Sequence, residues 1–310
     1  MPETLTKRRW GRRVAPRGLV RALALGLALA AAAGCSGPAA APPGPAPEPA
    51  AEPAPLTALH RLPPITGLLF TSHVRSTEAQ QRIAVACMAG RGFRYAPVPP
   101  PKAPDGADER PRPFGLETPD PPRAGATPPP ETPPASGSPE STAAYARALF
   151  GEDGKRVTAK GLRLSVSRPG EGCLAEAETR VLGDGRIRWL QVRIMLFEAQ
   201  EQTRKDVEKD PAFRAATARW RECMDRNRVK AQDPVQVQNA LRTAEARRTD
   251  PVAAADLRCK AETGYLTTAY GRLAATQQRW LDEHPDIGGD WKKLSARQDE
   301  AARTVLGPAA

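Results

Sequence analysis

The sequence predicts a mainly α-helical, bundle-like domain with two disulfides, flanked and interrupted by Pro-rich disordered segments. Three observations carry this expectation. Apolar residues recur three and four apart over most of the stretch from 138 to 306, the spacing of one helix face. The dipeptide Asp-Pro stands three times directly before such a run. Four cysteines remain once Cys35, directly after an N-terminal leader, is set aside, an even number suited to pairing.

The elements follow in order. Residues 66–74, TGLLFTSHV, fit a short strand or a helical turn. Thr77 with Gln80 reads as a capping box, and Ile83, Ala84, Cys87 and Met88 recur at helical spacing up to Gly90 and Gly92. Residues 97–138 are rich in proline and are expected to lack ordered structure. A stretch of about thirty residues before them is too short to form a core alone. It is therefore expected to belong to the same domain as the later helices, with the Pro-rich insert as an excursion. Ser138-Pro139 is expected to start a helix carrying Tyr145, Leu149 and Phe150. Leu162, Leu164 and Val166 alternate as in a short strand. A helix is expected from near Glu171 to Gly183. A longer one, from Arg186 to Lys209, has Trp189, Val192, Leu196 and Ala199 on one face.

Asp210-Pro211, Asp233-Pro234 and Asp250-Pro251 are helix starts. The Asp carboxylate accepts the free amide hydrogens of the first turn, and Pro at the first helical position gives up an N–H that had no partner. The first opens a stripe of Phe213, Thr217, Trp220 and Met224. The second opens a shorter helix with Val237, Leu241 and Ala244. The third opens a long one from Val252 through Cys259 and Tyr270 to Trp280, kinked at Gly264 and ended by His284-Pro285. Asp290 is expected to cap a last helix with Trp291, Leu294, Ala301 and Val305.

The N-terminus sets the expected location. Seven basic residues up to Arg21 precede an apolar run from Ala22 to Ala33 and then Gly34-Cys35. A basic head, a short apolar run and a small-residue cleavage site make a secretory signal over residues 1–34. The run is too short for a span, which takes about 20 apolar residues. Ala-Ala-Gly-Cys resembles a bacterial lipobox with Cys35 as the lipidated residue, although Ala32 stands where that motif prefers Leu. An ordinary signal peptide, with Cys35 removed or free, is the alternative. The paired arginines of KRRWGRR raise a twin-arginine export route. Residues 35–63 read as a Pro/Ala-rich tether to residues 64–306, the helical domain. The expected location is the outer face of the cytoplasmic membrane, with the membrane itself engaged through Cys35 and an envelope protein or cell-wall component as the possible partner.

Charge agrees with export. The chain has 46 basic and 35 acidic residues, a net of +11; losing the leader's seven basic residues and one acid leaves 39 and 34, a net of +5. A clustered basic face is the footprint of nucleic-acid binding, and much of the excess here belongs to the leader.

In an exported chain Cys87, Cys173, Cys223 and Cys259 read as two disulfides, with three connectivities open. Cys87-Met88 is followed by Cys173-Leu-Ala-Glu176, and Cys223-Met224 by Cys259-Lys-Ala-Glu262. This recurrence suggests an internal duplication with pairs Cys87–Cys173 and Cys223–Cys259. Glu176 and Glu262 then occupy matched positions. They are the best candidates for acid–base work in a cleft between duplicated halves, although a cap or a salt bridge to a nearby Arg is the plainer role for each. No cofactor or metal is expected. His60, His73 and His284 lack metal-ligand spacing, and no two cysteines are close enough in sequence for zinc. Ser72 beside His73 is a weak nucleophile–base candidate, and His284 suits a helix C-terminus. Trp189, Trp220, Trp280 and Trp291 sit at apolar helix positions, with core as the default and a groove lining as the alternative.

ACMAGRGFRY, AYARALFG, GCLAEAETRVLGD, DPAFRAATARWRECM and DLRCKAETGY together resemble an uncharacterised group of actinobacterial exported proteins and lipoproteins, over about residues 75–300 without the insert. The resemblance implies export and disulfides and brings no activity. Asn227-Arg228-Val229 departs from it, because relatives have a Gly-aromatic turn like Gly92-Phe93.

Overall fold

The computed structural model describes residues 62–71, 73–98, 110–118, 135 and 137–307. The expected leader, lipidated Cys35 and nearly all of the tether lie outside the described residues. The helices are α1 (Pro64–Leu69), α2 (Val74–Gly90), α3 (Ala143–Phe150), α4 (Gly172–Leu182), α5 (Arg186–Val207), α6 (Pro211–Arg226), α7 (Pro234–Ala240), α8 (Ala244–Thr249), α9 (Pro251–Glu262), α10 (Tyr265–Glu283) and α11 (Pro285–Leu306). An antiparallel hairpin, β1 (Arg156–Lys160) and β2 (Ser165–Pro169), interrupts them, with Val157 opposite Arg168 and Ala159 opposite Val166. No helix among the described residues is long and apolar enough to cross a membrane.

Two large hydrophobic cores and a smaller cluster around Met88, Tyr145 and Cys173 organise the packing. The first joins α1, α2, α4, α5 and α11 through Ile65, Ile83, Val181, Leu196, Ile287 and Trp291. The second joins α6 to α10 through Trp220, Met224, Cys259, Tyr265 and Leu273. Helix α10 packs against both α5 and α6 and so connects them. Its fully buried Gln277 accepts the amide hydrogens of Ile65 (2.9 Å) and Thr66 (3.2 Å) and donates to Thr66 Oγ1 (3.2 Å). These otherwise unpaired first-turn groups of α1 are thereby satisfied by a residue more than two hundred positions away. Together with the packing of α2 on α4 and α11, this makes residues 64–98 part of the same folded body as the C-terminal helices.

The three Asp-Pro starts hold. Asp210 accepts from Ala212 (2.9 Å) and Phe213 (3.2 Å), Asp233 from Gln236 (2.8 Å), and Asp250 from Val252 (2.8 Å). Both disulfides form as paired in the duplication reading, Cys87–Cys173 and Cys223–Cys259, each with a Cα–Cα distance of 5.6 Å. The two Cys-Met helices also end alike. Phe93 donates its amide hydrogen to Met88 O and Val229 donates to Met224 O, both at 3.0 Å. The residue before each donor is left-handed, Gly92 at φ 81° and Arg228 at φ 62°. Arginine therefore occupies a turn that glycine adopts without penalty.

Several boundaries differ from expectation. Helix α2 starts at Val74, and Thr77 Oγ1 donates back to His73 O, so Thr77 is inside the helix rather than its cap. Pro139 begins only a short 3-10 turn, and α3 is capped by Thr142, whose hydroxyl accepts from Tyr145. Gly264 (φ 61°) does not kink a single helix but separates α9 from α10, because its left-handed conformation ends the ladder. Helix α11 starts at Pro285, with Asp290 inside it and paired to Arg188 at 2.6 Å.

The largest correction lies within 97–138, where ordered structure was not expected. Residues 110–118 fold into the second core, with Phe114 and Leu116 buried. Phe114 packs edge-on to Tyr270 at 5.1 Å, and buried Glu117 pairs with Arg110 and accepts from the Tyr270 hydroxyl. Gly115 (φ 87°) passes so close to α7 that a Cβ there would meet Pro234 O at 2.6 Å.

Candidate functional site

A cleft of about 470 Å³ opens where α2, α4, α5, α11 and β2 meet. It lies within the range of about 300–1,000 Å³ typical of small-molecule sites. Its aromatic wall is set by the core packing of α5 and α11. Trp189 and Trp291 lie 4.6 Å apart between ring centroids, and the His73 ring stands edge-on to both, at 5.4 and 5.6 Å. Trp189 occupies the buried face of α5 as its spacing predicted, and it also lines the cleft. Trp220 and Trp291 are buried in the second and first cores, whereas Trp280 is half-buried and stacks on His284 at 4.1 Å.

The polar wall holds three arginines. Glu178 bridges two of them, Arg168 at 3.1 Å and Arg186 at 2.6 Å, and Arg186 also donates to Pro169 O. This ties β2 to α4 and α5. The third, Arg193, has no ion-pair partner among the described residues and lies 5.9 Å above the Trp189 ring. Burial against the walls, and then the charge of Arg168, lower the Arg193 pKa from its ordinary value. Burial, followed by the Arg193 charge, likewise lowers the pKa of His73, against a smaller opposite pull from Asp299. Across the cleft floor, Ser76 Oγ donates to Gln298 Oε1 at 2.9 Å. That bond turns the Gln298 amide so that its buried Nε2 donor has no protein partner, and His73 Nε2 has none either.

Sequence distance hides this site, because its residues come from positions as far apart as 73 and 298. The advance signs were Trp189, for which a groove was the alternative to core, and His73, singled out for a different role.

The hairpin that carries Arg168 is itself fastened from α5. Buried Glu198 accepts the amide hydrogens of Leu162 (2.6 Å), Arg163 (2.7 Å) and Leu164 (2.7 Å) across the turn. Burial alone would raise its pKa, but these three bonds, with Arg163, outweigh it and hold the carboxyl below its ordinary 4.5. A depressed carboxyl pKa stabilises the fold at neutral pH, and that contribution disappears as pH falls below 4.5 through the folded value. Glu198→Gln is expected to speed hydrogen exchange of these three amides at least tenfold at pH 7, since a bond to a charged acceptor contributes about 1.5–3 kcal/mol. Exchange measured by NMR checks this; unchanged protection in Glu198→Gln contradicts the latch.

The residues singled out in the sequence do not converge. Glu176 Oε2 lies 3.2 Å from Cys87 Sγ, and Glu262 Oε2 lies 3.3 Å from Cys223 Sγ, so each carboxylate sits beside its own disulfide. Glu176 pairs with Arg180 at 2.6 Å, and Glu262 lies 4.0 Å from both Arg226 and Arg258, all at the solvent-facing surface. The matched sequence positions are thus matched in structure, as parts of a repeated staple. His284 Nδ1 lies 2.8 Å from Trp280 O at the end of α10, in keeping with a helix-terminal role. Ser72 is outside the described residues. Among the described residues no group of three His, Cys, Asp or Glu side chains is placed to hold a metal ion. No protein-family model, curated protein or solved structure matches the chain.

Proposed function

We propose that this is an exported lipoprotein, acylated at Cys35, whose tether (residues 35–63) holds a helical binding domain outside the cytoplasmic membrane. The observation that carries the reading is the pairing of Cys87, Cys173, Cys223 and Cys259 into two disulfides, since such bonds persist in oxidising, extracytoplasmic compartments. The signal-like N-terminus and the cysteine after Ala-Ala-Gly support it independently. A binding role is supported by the cleft, whose lining includes Trp189 together with His73 and Gln298, each of which has a buried nitrogen without a protein partner. Acylation by two or three chains would hold the protein stably, because each buried methylene contributes about 0.8 kcal/mol and one chain alone anchors weakly.

Metabolic labelling with a palmitate analogue tests the anchor. The full-length protein is expected to take up label, and Cys35→Ala to lose it. Absence of label, or label that survives Cys35→Ala, overturns the lipoprotein reading.

A further inference from the structure

We propose that the cleft binds a small organic carboxylate, with the carboxylate held by Arg193 and a planar apolar group placed along Val166, Ile187 and Leu190 beside Trp189. This deepens the reading of the domain as a binding module and does not depend on the lipid anchor.

The charge balance of the cleft favours an anion. Its lining carries Arg168, Arg186 and Arg193 against the single carboxylate of Glu178. That carboxylate is already shared by Arg168 and Arg186. Arg193, exposed on α5, is left as a guanidinium without an ion-pair partner among the described residues. Burial is the main cause of the lowered pKa values of Arg193 and His73, and the charges of Arg168 and Arg193 add to it. Arg193 keeps solvent contact, so an incoming ligand can reach it.

The neutral groups define the rest. Gln298 is 2 % exposed, and its Nε2 has two hydrogens with no protein acceptor. His73 Nε2 supplies a further hydrogen-bonding group of the same kind. The net positive lining suits a singly or a doubly charged anion, and it is the apolar part of the wall that favours an organic anion over inorganic phosphate. The planar guanidinium fork can hold a carboxylate, as it can a phosphate, with two parallel bonds. Val166, Ile187, Leu190 and Trp189 give the remaining wall an apolar character that an inorganic ion would not use.

The test uses the mature protein purified in neutral detergent, titrated by calorimetry with benzoate, benzyl alcohol and inorganic phosphate. Benzoate is expected to bind saturably, phosphate at least tenfold more weakly, and benzyl alcohol not at all. Arg193→Gln is expected to weaken benzoate at least tenfold while leaving the thermal midpoint unchanged, because Arg193 makes no ion pair in the fold. Arg193→Lys is expected to retain part of the affinity. Benzyl alcohol binding as tightly as benzoate, phosphate matching benzoate, full affinity in Arg193→Gln, or no benzoate binding each overturns the assignment. Benzoate binding without acyl label would leave this site standing and remove the anchor; label without benzoate binding would do the reverse.

Discussion

Replacing Cys87 and Cys173 together by alanine is expected to lower the unfolding free energy by about 4.5 kcal/mol. The bond closes a loop with a sequence separation of 86, against 36 for Cys223–Cys259. Chain-entropy scaling gives about 4.5 kcal/mol for the first and about 4 kcal/mol for the second. The difference is small because loop entropy grows only with the logarithm of length. Alanine is the informative substitute: Cys173 is fully buried, and a serine hydroxyl there would add a desolvation cost unrelated to the cross-link. For a domain of this size the longer loop translates into about 10–18 °C in thermal midpoint. Urea unfolding of Cys87→Ala/Cys173→Ala measures it. A loss below about 1 kcal/mol would mean that the contacts of α2 with α4 and α11 alone hold the N-terminal helices in place. The effect would be a large share of the 5–15 kcal/mol that folded domains ordinarily have.

That staple was legible in the sequence because the signal is local and repeated: a Cys-Met pair before a turn, then a cysteine three residues before a glutamate. The Asp-Pro starts were legible for the same reason, since cap and first helical position are neighbours in the chain. The cleft was not. Arg193 stands among the exposed positions of α5, and nothing in its neighbours says that Glu178 will be used by Arg168 and Arg186 instead. Residues 110–118 were hidden by composition. PRPFGLE sits among prolines, yet Phe114 and Leu116 are the two apolar side chains that α6 to α10 lack on one side, and Gly115 supplies the close turn between them. Proline content described the surroundings of the segment and said nothing of its anchors. The hairpin was half-legible: Leu162, Leu164 and Val166 alternate, but they face solvent, and the strand pairing begins only at Ser165.

Lys260→Ala is expected to cost about 3–5 kcal/mol and to free residues 110–118. Lys260 and Asp256 are both buried and pair at 2.8 Å, one helical turn apart on α9. Lys260 Nζ also donates to Leu116 O at 2.6 Å, and Trp220 Nε1 donates to Asp256 Oδ1 at 3.0 Å. Burial pushes the Lys260 pKa down and the Asp256 pKa up, so each charge depends on the other to persist. Removing the lysine alone leaves a buried carboxylate without its counter-charge and a buried carbonyl without its donor, which is where the cost arises. Removing both charges as Lys260→Met/Asp256→Leu avoids the stranded carboxylate, so the double variant is expected to be markedly more stable than Lys260→Ala. It still lacks the donor to Leu116 O and the acceptor of Trp220 Nε1, so part of the cost remains, and the first of these losses separates local anchoring from global stability. Both variants are expected to gain a chymotryptic cut at Phe114 or Leu116, which are buried while the segment is anchored, and Lys260→Ala is expected to shift the urea midpoint the more strongly. Resistance to chymotrypsin in both would show that Phe114, Leu116 and the Arg110–Glu117 pair hold the segment without help from Lys260.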